Sequence, residues 1–224
     1  MVGVAAGIVA FLMDFLVDKL VFLKWSASQS LMGSSMNKAL MTFLTLSVLF
    51  SGIASALTVF VGPGAVASGT PELMAYLNGI DYPKFISLKT LVVKVIGLSL
   101  AVSAGLCIGK EGPLAHIGAI LGHLVLYIPF NFLKKFRNET SKREIACAGA
   151  AAGVSAAFGS PIGGSLFIYE VSRSSTFWSF ELMWKTFFCS SISTFVLNIL
   201  SCLRKGEDVS ITNAGLIKFG SYDS

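Results

Sequence analysis

Lys110 and Glu111 stand side by side within Gly109-Lys110-Glu111-Gly112-Pro113, and the sequence on both sides is apolar. Residues 39–71, 95–109 and 112–133 contain no Lys, Arg, Asp or Glu. An ionised side chain in such surroundings is costly unless it is paired or hydrated, so an ionisable pair there marks a functional site. The flanking glycines and proline interrupt a helix, and Pro113 suits the first turn of the helix that resumes. Two more interruptions fall inside apolar sequence, at Ser68-Gly69-Thr70-Pro71 and at Gly159-Ser160-Pro161-Ile162-Gly163-Gly164. A broken helix presents free N–H groups and partial positive charge at its restarted N-terminus. Those groups suit an anion. The first break offers a hydroxyl and amides, and the Glu111 break offers amides beside the Lys110 ammonium. A small dehydrated anion fits this chemistry better than phosphate, which would call for more arginine, or a metal ion, which would call for converging carboxylates.

Composition says which elements carry these breaks. The chain has 224 residues, is 54% hydrophobic and is 13% charged, against about 25% charged in an average soluble domain. Its mean hydropathy is +0.76. Six apolar stretches, near 4–23, 39–61, 86–108, 113–133, 145–171 and 177–203, reach the roughly 20 residues that a bilayer crossing needs. Helix is the state that satisfies the backbone in lipid, so the expectation is an all-α polytopic membrane protein. The first stretch holds Asp14, Asp18 and Lys19 and reads as a retained span, not a cleaved leader.

Between the spans, 26–38 reads as a serine-rich loop, 71–77 as a short re-entrant helix and 78–83 as a turn. Gly118/Gly122 and Gly149/Gly153 are small-residue faces for close helix packing. The basic run Lys134-Lys135-Phe136-Arg137 places its loop in the cytoplasm, where the Asn138-Glu139-Thr140 sequon escapes glycosylation. The net charge of +5 reflects this loop bias and not nucleic-acid binding. Four single cysteines form no disulfide framework. His116 and His123, seven apart, lack a third metal ligand. Lys89 and Lys94 are expected to snorkel. No base faces Ser68 or Ser160 and no nucleophile elbow is present, which argues against an intramembrane hydrolase.

Three motifs together resemble the CLC chloride channels and chloride/proton antiporters: 67–72 (Ala-Ser-Gly-Thr-Pro-Glu), 109–113 and 159–164, in that order and spacing. Residues 75–79, 88–97 and 148–158 agree as well, and 213–224 is similar to the endosomal/lysosomal branch. The resemblance implies that residues 1–224 are the first inverted-repeat half of the CLC transmembrane fold, with broken and re-entrant helices. The second half and the cytoplasmic CBS pair would lie outside them. It implies a chloride-binding set of Ser68, Gly69, Thr70, Pro71, Gly109, Lys110 and Gly112, with Glu111 as the gate. The Glu111 carboxylate would occupy an anion site until protonation or voltage displaces it, since carboxylate and chloride compete for the same positive helix ends. Chloride and protons would be the transported ions, no cofactor would be needed, and a homodimer in an endosomal or lysosomal bilayer would be the working form.

Departures from the family pattern leave alternatives open. Ala67 and Thr70 stand where glycine and isoleucine are usual, and alanine tolerates φ > 0 less well than glycine. Antiporters usually carry two glutamates after the third motif, the second relaying protons. Here Glu170 is followed by Val171. Read without a gap, Val171 replaces the relay, as in passive channels; read with a shift around 172–176, Glu170 is the proton relay. A third alternative is a non-conducting half-domain.

Overall fold

The computed structural model describes residues 1–32, 35–82, 84–127, 138–172 and 179–205, and within them every regular element is helical. The basic run 134–137, the stretch 173–176 and the segment 213–224 lie outside the described residues. In chain order the helices are α1 (Val2–Met32), α2 (Met36–Ala56), α3 (Thr70–Leu77), α4 (Leu88–Ala104), α5 (Glu111–Val125), α6 (Glu139–Phe158), α7 (Pro161–Ser172) and α8 (Phe180–Lys205). A π-helical turn, Leu57–Val61, continues α2, and a 3₁₀ turn, Pro63–Ala65, leads towards α3.

Among the described residues two segments, Met36–Val61 and Phe180–Arg204, are long and apolar enough to cross a bilayer. Others are shorter than the apolar stretches suggest. The stretch 145–171 is two helices, because Gly159 ends α6 at φ 66 and Pro161 begins α7. The stretch 86–108 contracts to the 17 residues of α4. The serine-rich loop is also smaller than expected: α1 runs on to Met32 without a break. Nothing in 26–32 stops a helix, since serine is a passable helix former and no glycine or proline intervenes.

Packing is governed by small residues. α5 and α6 form the most extensive helix pair. A side chain at Gly118 would collide with the Gly149 carbonyl, one at Gly149 with the Gly118 carbonyl, and one at Gly153 with the Leu114 carbonyl. The expected small-residue faces therefore meet each other, backbone to backbone. The same device joins α1 to α8, where a Cβ on Gly7 would stand 2.7 Å from the Ser193 carbonyl. Around these contacts lies a core of alanines with Leu73, Leu77, Ile117, Ile120 and Ile168 buried.

Charged residues inside α1 are each provided for, Lys19 by the Phe15 ring 5.6 Å below its ammonium. Asp14 pairs with Lys110, Asp18 pairs with Arg204, and the Lys24 ammonium donates to the Ser103 carbonyl at 2.7 Å. Lys24 also stands over the Phe43 ring. This is how a helix among apolar neighbours carries four charges between 14 and 24.

Candidate functional site

The α4–α5 junction is built for a helix restart. Gly105 closes α4 at φ 93, which suits glycine, and α5 begins at Glu111. Its first intrahelical bond runs from the Leu114 N–H to the Lys110 carbonyl at 3.0 Å. The Glu111 and Gly112 amides come before that bond and have no acceptor within the helix, and Pro113 has no N–H to satisfy. The Ser68 turn is built from two left-handed residues, Ala67 at φ 58 and Gly69 at φ 81. Alanine thus adopts the left-handed conformation that glycine takes without strain. The Ser68 Oγ accepts the Thr70 N–H at 3.3 Å, and Leu73 N–H returns to the Gly69 carbonyl at 2.9 Å. Pro71, second in α3, offers no donor; it sets the helix geometry for the amides around it.

These two helix starts meet. A Cβ built on Gly112 would lie 2.8 Å from the Ser68 Cβ and 3.3 Å from the Thr70 Oγ1, so glycine at 112 permits the approach. Beside the contact is a cavity of about 600 Å³ whose lining includes Ser68, Lys94, Gly109, Glu111 and Gly112. The Glu111 carboxylate folds back against Gly109, its Oε2 taking the space that a Cβ at that position would occupy.

Lys110 does not line this cavity. Its Nζ donates to Asp14 Oδ1 at 2.9 Å. The pair lines a neighbouring cavity of about 480 Å³ together with Asp18, Ser201 and Arg204. Leu98 borders both cavities, so α4 and the Lys110–Glu111 step divide them. Ser160 and its break also lie outside the Ser68–Glu111 lining; the Ser160 Oγ accepts the Gly163 N–H at 3.2 Å and caps its own helix. Glu170 is exposed near the end of α7, whereas Val171 is buried in the cluster that contains Leu73 and Ile168.

One residue departs from its expected role. Lys94 does not snorkel: it is 3% exposed. Its ammonium donates to the Ala67 carbonyl at 3.2 Å and stands 2.8 Å from His116 Nδ1. With Nδ1 accepting, the ring carries its proton on Nε2, which donates to the Phe85 carbonyl at 3.1 Å. Phe85 stacks on the imidazole at 4.1 Å. A chain of hydrogen bonds therefore runs from Phe85 through His116 and Lys94 to the turn that holds Ser68. Sequence patterning gave Lys94 and His116 no shared role because they are 22 positions apart on different helices. The available signal was a lone lysine two turns into an otherwise apolar stretch.

Broken helices, a lipid-length pair of spans among the described residues, and a hydroxyl-and-amide cavity that also holds one carboxylate define the class as an all-helical membrane-protein fold. The voltage gated chloride channel family matches residues 48–218, and the chain belongs to that family, the CLC proteins. The human H(+)/Cl(-) exchange transporter 7 is 39% identical over 236 residues, spanning 100% of this chain and 29% of that protein. Chloride channel protein A of Dictyostelium discoideum is 40% identical over 228 residues, spanning 98% of this chain and 26% of that protein. The chain thus spans less than a third of the length of these relatives. Among solved structures, a eukaryotic CLC transporter superposes with a TM-score of 0.79 at 23% identity, over 93% of this chain and 37% of the other. A slow cyanobacterial Cl-/H+ antiporter gives 0.77 at 22% identity, over 89% and 45%. Both show the same fold.

Proposed function

We propose that residues 1–224 form the N-terminal half of a CLC membrane domain that moves chloride across an endosomal or lysosomal bilayer in exchange for protons. The carrying observation is the meeting of two helix starts at Gly112 and Ser68, with the Glu111 carboxylate in the same cavity. Chloride would be held by the Ser68 hydroxyl and by amides at Gly69, Gly109 and Gly112. Glu111 would compete for that space while ionised and leave it when protonated. Support for exchange comes from the relative named as an H(+)/Cl(-) exchange transporter, and the organelle rests on the resemblance of 213–224 to the endosomal/lysosomal branch. A second inverted half would supply the facing wall of the path, and two such domains would pair as a homodimer. No cofactor enters this scheme.

The buried Val171 favours a second reading, a passive chloride channel. Valine carries no proton, and the carboxylate beside it, Glu170, faces outward. The two readings separate in one measurement. The full-length protein is reconstituted in liposomes, and the chloride reversal potential is followed under a proton gradient. A shift with pH means exchange; a fixed value means a channel. Glu111→Ala in the same preparation is expected to leave chloride flux pH-independent and to abolish any proton movement. Unaltered pH dependence in that variant would remove Glu111 from the gate.

A further inference from the structure

The link that leads from α4 to Glu111, residues 105–110, is fastened at both ends to one helix, α1. At its start, the C-terminus of α4 leaves the carbonyls of 101–104 without partners inside the helix. Leu106 N–H returns to the Ala101 carbonyl at 3.3 Å and Gly105 N–H to the Val102 carbonyl at 3.0 Å, the pair of bonds that closes a helix on a left-handed glycine. The Ser103 carbonyl is met from outside, by the Lys24 ammonium of α1 at 2.7 Å. Lys24 is 5% exposed, and among the described residues no carboxylate pairs with it. Its charge is offset by the partial negative charge at the end of α4 and by the face of Phe43 on α2, whose ring centroid is 4.4 Å away. A Cβ on Gly105 would stand 3.8 Å from the same ammonium. At the other end of the link, Asp14 holds Lys110. Asp14 and Lys24 are separated by about 15 Å along α1. Between these anchors Ile108 N–H meets the Leu106 carbonyl, a bond that ties the link to itself and not to its surroundings. Leu106, Ile108 and Gly109 are wall residues of the cavity that contains Ser68 and Glu111.

We propose that Lys24 is a positioning residue for the gate: by satisfying the end of α4 and packing on α2, it fixes where the Glu111-bearing link begins. It thereby fixes where the carboxylate sits when it occupies the anion site. This rests on the reading of Glu111 as the gate and extends it to α1. Lys24 is not part of the cavity lining; it acts through Ser103 and Gly105. A buried carbonyl that loses its donor costs the full desolvation of that group, and an apolar surround supplies no water to replace it. Without the ammonium, the last turn of α4 must shift or unwind to find another donor. The link is only a few residues long, so a displacement at Gly105 is passed on to Glu111. The Asp14 bond to Lys110 would then hold one end of a link whose other end is loose.

The test compares Lys24→Met and Lys24→Arg in the full-length protein reconstituted in liposomes. Methionine keeps most of the apolar stem and removes the donor; arginine keeps a charged donor. Two quantities are read: the pH midpoint of chloride flux, and the rate at which a membrane-impermeant maleimide alkylates Cys107, followed by peptide mass. Cys107 is an exposed thiol within the link, whereas Cys147 and Cys202 are buried. Lys24→Met is expected to move the midpoint by about half a pH unit or more and to speed alkylation about threefold or more. Lys24→Arg is expected to stay close to wild type in both. An unmoved midpoint, an unchanged alkylation rate, or equal shifts in the two variants overturns the proposal. The same substitutions in Glu111→Ala separate positioning from general support of the fold. With no carboxylate left to place, Lys24→Met is expected to leave the flux of Glu111→Ala as it was; the same fractional loss in both backgrounds overturns the positioning role. Should Lys24→Met fail to fold, Phe43→Leu, which removes the ring and keeps the bond to Ser103, is expected to move the midpoint in the same direction by less. No shift in that variant overturns the proposal equally. One pH profile shared by the wild type and Glu111→Ala would sink the gate reading and this role with it. A gate that responds to Glu111→Ala but not to Lys24→Met would sink this role alone.

Discussion

The interruptions at 109–113 and 159–164 look alike in sequence, each a glycine, a polar residue and a proline within a few positions. Folded, they part company. At the first, α5 starts against the Ser68 turn and its carboxylate enters a cavity that a second helix start also reaches. At the second, Gly159 turns at φ 66 and the Ser160 Oγ takes the Gly163 N–H. Gly164 is pressed against the backbone and hydroxyl of Ser155. The second break caps itself with its own serine, and 159–164 contains no charge. A glycine-proline break suits the anion site proposed here where another helix end is aimed at the same space. Where none is, it is a self-capped turn between packed helices.

The largest expected effect tests that distinction at one methyl group. Gly112→Ala places a carbon 2.8 Å from the Ser68 Cβ, while Gly163→Ala meets the Ser160 Oγ at 3.1 Å and its Cβ at 3.4 Å. Forcing α5 from α3 is expected to cost about 2 kcal/mol and to lower chloride flux at least tenfold. The Gly163 variant is expected within about 1 kcal/mol of wild type, because a terminal hydroxyl gives way more readily than a Cβ and alanine favours the helix. Thermal unfolding in detergent and liposome flux read both. Equal losses in the two variants would erase the difference between the breaks.

Much of this was legible in the chain. Charge-free runs around Lys110 and Glu111, and the Gly and Pro residues that punctuate them, placed all three breaks. The glycine pairs at 118/122 and 149/153 announced the α5–α6 contact. What stayed hidden was which breaks converge, because that depends on how helices fold over one another and not on any local pattern. The partner of Lys110 was hidden for the same reason: Asp14 is 96 positions away. So was the burial of Lys94, since a lysine near the start of a span reads as snorkelling until its neighbours are known. The end of α1 was misplaced because a run of serines resembles a loop while costing a helix little.

Next in size is the turn itself. Ala67 holds φ 58, a left-handed conformation that costs an L-residue roughly 1–2 kcal/mol. Ala67→Gly relieves it at some loss of unfolded-state restriction, so a gain of about 0.5–1 kcal/mol is expected. Flux is expected to be unchanged. A loss of stability would mean that the alanine methyl contributes more to the turn than its backbone strain removes.

Smaller in stability, though not in function, is Asp14→Asn. The Lys110–Asp14 pair is about two-fifths exposed on each side, 39% and 43%, so its loss is expected to cost only about 0.5 kcal/mol. It does tether the residue before Glu111 to α1. The expected signature is a shifted voltage or pH midpoint of chloride flux with little change in thermal stability. An unshifted midpoint would mean that the tether has no bearing on the gate.

The smallest effect is predicted at the far end of α6, one helix length before the self-capped break. Lys142 Nζ binds Glu139 Oε1 at 2.7 Å one turn into the helix. The hydrogen bond to Lys142 holds the Glu139 carboxyl below its usual range, and the same bond holds the Lys142 ammonium above its own. A carboxyl lowered by folding stabilises the protein above the ordinary carboxylate range, and that contribution disappears as pH falls through the lowered value. The lysine contribution is lost only as pH rises through its raised value. Lys142→Met is therefore expected to cost a few tenths of a kcal/mol at neutral pH. The gap between variant and wild type should close as acid protonates Glu139. A gap that is constant from neutral to acid pH would show that the pair contributes nothing through charge.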